Sequence, residues 1–341
     1  MKYRTMRFAD GEDRVSLLGF GCMRFPGEEG HADEGLAEKM LDRAIESGLN
    51  YIDTAWSCFN GDSESFVGRA LKKYPRDRFF LGAKLPLKEA PDPKQARTVF
   101  KNQLKYFHVK YIDYYLFDVA DREGWNNLVK SGIISWAEGQ KAEGSIRHLG
   151  FSFHGGYELF REIITYRQWD FCQFQYNYMD RHGLAGDRGY TLAEKMGIPL
   201  IVMNPVKGGM LAELPEEAGR YFKEADPEAS EASWALRWAG SHPNVKVILS
   251  GMSTPDEVED NLNTFRSFRP LSQEEEAVVE KTAAALELFW QEAAAAGTEL
   301  AGDETVNKEP AGPGEDKVKQ PEEVPLPEGQ AGEAAAEAGK R

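Results

Sequence analysis

Residues 79–119 read FFLGAKLPLKEAPDPKQARTVFKNQLKYFHVKYIDYYLFDV and carry the clearest signal of the fold class. It starts and ends with short apolar runs that are typical of buried strands. Between them lies a helical pattern that begins at Asp92-Pro93, where Asp is a favoured N-cap and Pro suits the first helical position. A strand, a helix and a second strand in this order form the crossover that joins two parallel strands.

Six further apolar runs extend this alternation along the chain. They are SLLGFGCM (16–23), NYIDTA (50–55), HLGFSFH (148–154), FCQFQYN (171–177), PLIVMNPV (199–206) and VKVILSGM (245–252). Eight strands with helices between them predict an α/β fold, a (β/α)8 TIM barrel, preceded by an N-terminal hairpin that turns at Asp10-Gly11. An open doubly wound sheet is the main alternative, but no G-x-G-x-x-G follows the first strand.

Composition and charge narrow the class of protein. The chain has 341 residues, of which 41% are hydrophobic, and this suits one large domain. A net charge of -15 argues against a general nucleic-acid binder or a protein of anionic membrane surfaces. The three cysteines, Cys22, Cys58 and Cys172, are too few and too scattered for a disulfide framework or a metal site. With neither an apolar signal region nor a run of about 20 apolar residues, we expect a cytoplasmic protein.

Two segments follow the last strand and its helix. Residues 272–296 predict one extra helix, which completes a barrel domain of residues 1–296. Residues 297–341 contain no aromatic residue and carry eleven acidic against five basic side chains. Such a segment buries too little apolar surface to offset its ordering entropy, so we predict that 297–341 is an acidic disordered tail.

Polar residues stand at the predicted carboxyl ends of the strands, which is where such barrels carry their sites. In chain order they are Asp53, Lys84, Asp118, Ser152, His154, Gln173, Asn177, Asn204, Gly251 and Ser253. Asp53 and Lys84 stand on neighbouring strands, where the lysine lowers the pKa of the carboxyl and the carboxylate keeps the lysine charged. Spacing alone leaves two readings of this pair open: a functional site, or an ion pair that closes the barrel mouth.

Longer motifs around the predicted strands match a known pattern. They include NYIDTAWSCFNGDSESFVGRAL around the second strand and RFFLGAKLP around the third. The first resembles the signature of the aldo-keto reductase family, and the second resembles the segment of that family's active-site lysine. IRHLGFSFHGG, WDFCQFQYNYMD, IPLIVMNPVKGGML and VILSGMSTPDEVEDNL resemble its later strands in order, so that the resemblance spans about residues 5–265. The most similar branch often carries a Cys-rich iron-sulfur segment after the barrel, and here the acidic tail stands in its place.

The resemblance implies NAD(P)H-dependent carbonyl reduction by a tetrad of Asp, Tyr, Lys and His. Asp53 and Lys84 match two of its members, whereas Cys58 stands where the family has Tyr and Asp118 where it has His. Hydride addition to a carbonyl leaves negative charge on oxygen, which must be protonated or stabilised. A thiol is shorter than a phenol, and Lys84 opposes protonation of Asp118. The proton route is therefore expected to be altered, through Lys84, Asp118 or Cys58.

The resemblance also implies the cofactor and substrate residues. The residues that match the family's binding site for NADP or NAD are Ser152, His154, Gln173, Asn204, Lys207, Gly208, Gly251, Ser253 and Asn261. Glu257 stands where many NADPH-preferring members carry an arginine. A carboxylate there repels a 2′-phosphate, which puts NADPH preference in doubt. Trp56, Phe59, Phe117 and Tyr176 are expected to line a pocket for a small-molecule substrate.

Three hypotheses about function stay open on the sequence alone. The first is an oxidoreductase acting on a small carbonyl or alcohol. The second is a catalytically impaired barrel that binds nicotinamide nucleotide and reports its redox state to a partner. The third is a redox-neutral isomerase or lyase that retains the cofactor. The sequence predicts neither the oligomeric state nor the identity of the substrate.

Overall fold

Parallel strands close into a barrel, as the sequence predicts. In chain order the barrel strands are β3 (Leu18–Gly21), β6 (Tyr51–Asp53), β7 (Phe80–Leu85), β8 (Ile112–Val119), β9 (Ile146–Phe153), β10 (Phe171–Gln175), β11 (Leu200–Met203) and β12 (Val245–Ser250). Each pairs with its neighbour in sequence, and β12 pairs with β3 to complete the circle. This computed structural model describes residues 1–28, 31–56 and 61–296. Cys58, Phe59 and the predicted tail lie outside the described residues.

Helices follow the strands and cover the outside of the barrel. They are α1 (Glu34–Glu46), α2 (Ser63–Leu71), α3 (Pro93–Tyr106), α4 (Arg122–Ser131), α5 (Ile133–Ala142), α6 (Tyr157–Tyr166), α7 (Gly186–Lys195), α8 (Glu216–Ala225), α9 (Glu231–Ser241), α10 (Pro255–Arg266) and α11 (Gln273–Ala295). The predicted caps are confirmed at Asp92 and Thr254, each followed by Pro at the first helical position. Within the described ranges no helix is long and apolar enough to cross a membrane.

Two small antiparallel hairpins precede the first helix. In the predicted one, β1 (Tyr3–Phe8) pairs with β2 (Gly11–Ser16), and its Met6 and Val15 pack against the residues inside the barrel. The sequence did not predict the second, in which β4 (Gly27–Glu28) pairs with β5 (His31–Ala32). A Cβ atom on Gly27 would lie only 1.9 Å from the His31 carbonyl oxygen, so this pairing requires glycine.

Side chains alternate between the inside of the barrel and the helical layer outside it. Tyr114 and Leu116 of β8 belong to the apolar cluster inside the barrel, whereas Tyr115 and Phe117 pack in the outer layer. This alternation follows from the strand period of two residues. It decides which residues near a strand end face the mouth of the barrel.

Candidate active site

The site forms at the carboxyl ends of four adjacent strands. Asp53 ends β6, Lys84 and Asp118 are the next-to-last residues of β7 and β8, and Ser152 holds the same position on β9. Asp118 lies beside Ser152 in the strand register, and Ser152 lies beside Gln173. The structure therefore brings together the acid, the lysine and the first cofactor residues that the sequence predicts.

Asp53 and Lys84 form a loose, buried pair. Lys84 Nζ lies 3.9 Å from Asp53 Oδ1, and their side chains are 8% and 2% exposed. Among the residues that the structure describes, Asp53 Oδ2 has no hydrogen-bond partner. Burial raises the pKa of Asp53, the charge of Lys84 opposes the shift and the charge of Asp118 adds to it. This carboxylate is less satisfied than a structural ion pair requires.

Gly82 of β7 makes room for Asp53. It is the register partner of Asp53, and a Cβ atom on Gly82 would lie 2.8 Å from Asp53 Oδ2. Any side chain at this position would displace the carboxylate.

Asp118 lies in a different environment from Asp53, although the two are close enough to interact. Its Oδ1 atom accepts a hydrogen bond of 2.6 Å from Ser152 Oγ, and His154 Nε2 lies 3.7 Å away. Burial acts against ionisation, but His154, Lys84 and Ser152 outweigh it and hold the pKa of Asp118 well below its usual range. Since its side chain is 40% exposed, Asp118 presents an ionised carboxylate at the mouth.

Gln173 lies next to Ser152 in the strand register and has a side-chain oxygen that could accept a hydrogen bond from a ligand. Its Nε2 atom lies 3.7 Å from the sulfur of Met203, and its Oε1 atom is buried without a hydrogen-bond partner in residues 1–28, 31–56 and 61–296. A buried acceptor without a partner is costly. An amide N–H of a ligand would relieve this cost, so the residues present fit the carboxamide of a nicotinamide.

The segment after β11 turns tightly. Asn204 and Lys207 adopt left-handed φ values of 53° and 48°, and Gly208 has a φ of 71°. The Gly208 N–H donates to Asn204 Oδ1 at 2.5 Å. The Lys207 ammonium donates to Asp180 Oδ1 at 2.6 Å. The sequence predicts Asn204, Lys207 and Gly208 together here, but it does not predict Asp180.

The predicted phosphate end lies at the start of α10. Glu257 accepts hydrogen bonds from the Ser253 backbone N–H at 2.7 Å and from Ser253 Oγ at 3.1 Å. Asn261 is buried and donates to Ser250 Oγ at 3.0 Å. Gly251 is exposed, and a Cβ atom there would contact the Arg24 side chain at 3.3 Å. The Glu257 carboxylate thus already accepts the Ser253 backbone N–H, a type of group that anions bind at helix N-termini.

Two of the four predicted pocket residues do not face the mouth. Phe117 packs edge-on against Trp169 in the outer layer, with ring centroids 6.1 Å apart. Tyr176 stacks with Tyr190, and its hydroxyl donates to Asp187 at 2.7 Å. The prediction that these two line a substrate pocket is corrected, because they alternate with Asp118 and Gln175 and so face the helices. Trp56 is partly buried beyond β6.

A metal site was also sought among the described residues. Across residues 1–28, 31–56 and 61–296 no cluster of three or more His, Cys, Asp or Glu side chains is arranged to hold a metal ion.

The molecule is a closed (β/α)8 barrel with charged side chains at the carboxyl ends of its strands, and comparison with known proteins identifies its family. The sequence model of the aldo/keto reductase family matches residues 17–284. The chain therefore belongs to the aldo/keto reductase family, and it is an oxidoreductase of that type.

Individual relatives agree with this assignment. An oxidoreductase of Bacillus subtilis is 25% identical over 302 residues, which cover 80% of this chain and 94% of the relative. An NADH-specific methylglyoxal reductase of Escherichia coli is 23% identical and covers 73% and 89% of the two chains. The holo form of an aldo-keto reductase from Bacillus halodurans superposes with a TM-score of 0.70 at 27% identity, covering 84% and 97%.

Proposed function

We propose that this protein is an NAD(P)-dependent oxidoreductase that acts on a small carbonyl or alcohol at the carboxyl end of the barrel. The observation that carries the proposal is the buried Asp53–Lys84 pair, whose charged atoms are 3.9 Å apart and whose Asp53 Oδ2 atom has no partner within the described ranges. A buried carboxylate oxygen of this kind at a barrel mouth is suited to a ligand rather than to closing the fold.

The residues around this pair would hold a nicotinamide cofactor, which supplies or accepts a hydride when bound. Ser152 and Gln173 would hold the carboxamide, and the Gln173 Oε1 atom without a partner supports this assignment. Lys207 and Gly208 would lie against the pyrophosphate, and Ser253 and Asn261 against the adenosine end. His154, whose Nε2 atom lies 3.7 Å from Asp118 Oδ1, would orient this carboxylate beside the cofactor.

We propose that Lys84 supplies the positive charge that stabilises the substrate oxygen. Asp118 cannot donate a proton near neutral pH, because its neighbours keep it ionised. Lys84 is a buried cation beside Asp53, and an ammonium carries three donors. The Lys84 ammonium would therefore donate to the substrate oxygen, while a role for Cys58 stays a prediction.

A catalytically impaired, nucleotide-binding barrel is the second candidate, and one observation favours it. The ionised Asp118 carboxylate stands at the mouth, where it opposes the negative charge that builds on a carbonyl oxygen during reduction. An assay of substrate turnover separates the two candidates, because only the oxidoreductase converts a carbonyl or alcohol. The third hypothesis, a redox-neutral reaction, would leave the redox state of the cofactor unchanged over a full cycle.

We propose further that NADH is preferred to NADPH. Glu257 accepts the Ser253 N–H and hydroxyl, and so places a carboxylate at the start of α10. A 2′-phosphate approaching this point would meet like charge and an amide that is already taken.

Fluorescence titration with NADH and NADPH tests the proposal. We expect saturable binding at about one cofactor per chain, with NADH bound more tightly. Methylglyoxal with NADH is the first substrate pair to assay, because one relative is named for that reaction. The absence of saturable binding of either cofactor up to millimolar concentration would contradict the proposed function.

A further inference from the structure

Asp180, which lies in the segment between β10 and α7, gathers three side chains from two neighbouring parts of the barrel mouth. Asn177 Nδ2 donates to its Oδ2 atom at 2.7 Å, and Gln175 Nε2 also donates to Oδ2. Lys207 Nζ donates to its Oδ1 atom at 2.6 Å from the turn that follows β11. Both members of the Asp180–Lys207 pair are largely buried, at 15% and 16% exposure.

Asn177 strengthens the same connection through the backbone. It is fully buried, and its Nδ2 group also donates to the Asn204 carbonyl at 3.1 Å. Its Oδ1 atom accepts the backbone N–H of Asp180 at 3.0 Å. Asp180 and Asn177 therefore join the end of β10 to two residues of the turn from Asn204 to Gly208, namely Asn204 and Lys207.

This turn needs external support. Asn204 and Lys207 hold left-handed φ values, which side chains other than glycine adopt at an energetic cost. Such conformations persist where the surrounding contacts fix them. The bonds from Lys207 to Asp180 and from Asn177 to Asn204 are contacts of this kind.

A second residue, Trp290, lies next to the Lys207 ammonium. The Lys207 Nζ atom lies 5.9 Å from the centre of the Trp290 ring on α11. A lysine side chain ordinarily samples many rotamers, and ordering it on binding weakens a complex. Here Asp180 and Trp290 order the ammonium before any ligand arrives.

We propose that Asp180 is a positioning residue for the cofactor: it fixes the Lys207 ammonium and the Asn204–Gly208 turn where the pyrophosphate binds. This inference rests on the proposed function. An ammonium has three donors, so a bond to Asp180 leaves donors for a phosphate oxygen. Asp180 acts through Lys207 and need not touch the cofactor itself.

A double-mutant cycle tests the inference. The variants are Asp180→Asn, which keeps the shape of the side chain, Lys207→Met, and the two combined, each titrated with NADH and NADPH. We expect Asp180→Asn to weaken binding about tenfold, the scale of one lost hydrogen bond to a charged group. In the Lys207→Met background the same change should alter binding less than about twofold, since contacting residues couple.

Asp170→Asn is the matched control. Asp170 lies at the opposite end of β10, where it accepts the Lys141 ammonium and the Leu149 N–H and is 18% exposed. Its loss should lower the melting temperature and leave cofactor affinity unchanged. A purely structural role for Asp180 would give the same result for both aspartates.

Several results would overturn the inference. They are unchanged or tighter cofactor binding by folded Asp180→Asn, and an equal loss of affinity in both backgrounds. If Asp180→Asn does not fold, Lys207→Met alone decides, because it removes the same bond but keeps the bonds of Asp180 to Gln175 and Asn177; undiminished affinity would then reject the inference. Failure of the wild type to bind either cofactor would instead reject the proposed function.

Discussion

Two aspartates at opposite ends of the barrel differ in how completely their charges are satisfied. Asp13, from the N-terminal hairpin, accepts hydrogen bonds from Tyr114 at 2.7 Å and lies 3.0 Å from His148 Nε2. Asp53, at the mouth, stands 3.9 Å from its cation and has one oxygen without a partner. Burial alone would raise both pKa values, but the hydrogen bonds from His148 and Tyr114 lower that of Asp13, whereas that of Asp53 stays raised.

The difference fits a structural role for Asp13 and the functional role that we propose for Asp53. At the end of the barrel opposite the mouth, which we call the floor, Phe8 stacks on His148 with ring centroids 3.6 Å apart. The Phe8 ring thus covers one partner of Asp13. At the mouth, one oxygen of Asp53 and the side-chain acceptor of Gln173 have no partner in the described part of the chain, so a ligand that donates hydrogen bonds to them would gain stabilisation. Sites that bind and react commonly retain such incomplete pairing.

The largest effect is expected from breaking the pair at the mouth. Lys84→Met should lower turnover of any true substrate by about 10²–10⁴-fold, the range for loss of a positioned acid, while cofactor affinity changes by only several-fold. Steady-state kinetics and cofactor titration measure the two quantities. Lys101→Met, on the exposed face of α3, is the control, and a Lys84→Met enzyme with normal turnover would refute the assignment.

Restoring the family's acid should have the next largest effect. Wild-type protein should reduce aldehydes such as nitrobenzaldehyde slowly, because Asp118 is ionised. Cys58→Tyr combined with Asp118→His should raise this rate by about 10²-fold, the lower range of general acid catalysis. The change at Asp118 is needed because its carboxylate opposes the developing negative charge.

The rate of aldehyde reduction by the two single variants provides the control, since neither alone supplies both groups. Vigorous reduction by the wild type would contradict the altered proton route. No gain in the double variant, with cofactor binding intact, would indicate a remodelled pocket and a different reaction.

The fold was predictable because its signal is periodic. Each barrel strand coincides with an apolar run, and Asp92 and Thr254 cap α3 and α10 as their sequence contexts predict. The β4–β5 hairpin was not predictable, because strands of two residues carry no period. The pairing of Gly27 with Ala32 depends on how closely two backbones approach, which no local pattern records.

The site was only partly predictable. Strand-end polarity locates Asp53, Lys84 and Asp118, but aromatic residues near a strand end face either side. The parity of β8 already implies that Phe117 points away from the mouth if Asp118 points toward it. Asp180 carries no such signal, because its main partner, Lys207, comes from a turn 27 residues further along the chain.

A smaller effect, on stability alone, is expected at the floor. The folded pKa of Asp13 is lowered, so its contribution is present above the unfolded pKa of about 3.9 and is lost as the pH falls through that value toward the folded pKa. Asp13→Asn should therefore cost about 2 kcal/mol at pH 7 and progressively less below pH 4. Urea unfolding at several pH values measures this, with the exposed Asp10→Asn as control.

The same variant tests the comparison itself. Asp13→Asn should leave cofactor affinity and turnover unchanged, because the hairpin lies at the end of the barrel opposite to Lys84. A loss of turnover in folded Asp13→Asn protein would mean that the floor and the mouth are coupled, and the distinction between the two aspartates would fail.

The smallest effect is expected at Glu257. This residue is well paired, as Asp13 is, but it lies beside the mouth, as Asp53 does. Its bonds to Ser253 resemble those of Asp13 to its partners, yet we assign it a role in cofactor choice. Glu257→Arg removes the carboxylate and adds a cation. It also leaves the Ser253 N–H available to donate to a phosphate. The affinity ratio of NADPH to NADH should rise about tenfold, or about 1.4 kcal/mol, and the change should shrink at high salt because the site is exposed.

Glu257→Gln, which keeps an acceptor for Ser253 without the charge, separates the two contributions: it should shift the ratio in the same direction but by less. An unchanged ratio in both variants would mean that the adenosine end lies elsewhere, and that pairing alone explains Glu257 as it explains Asp13.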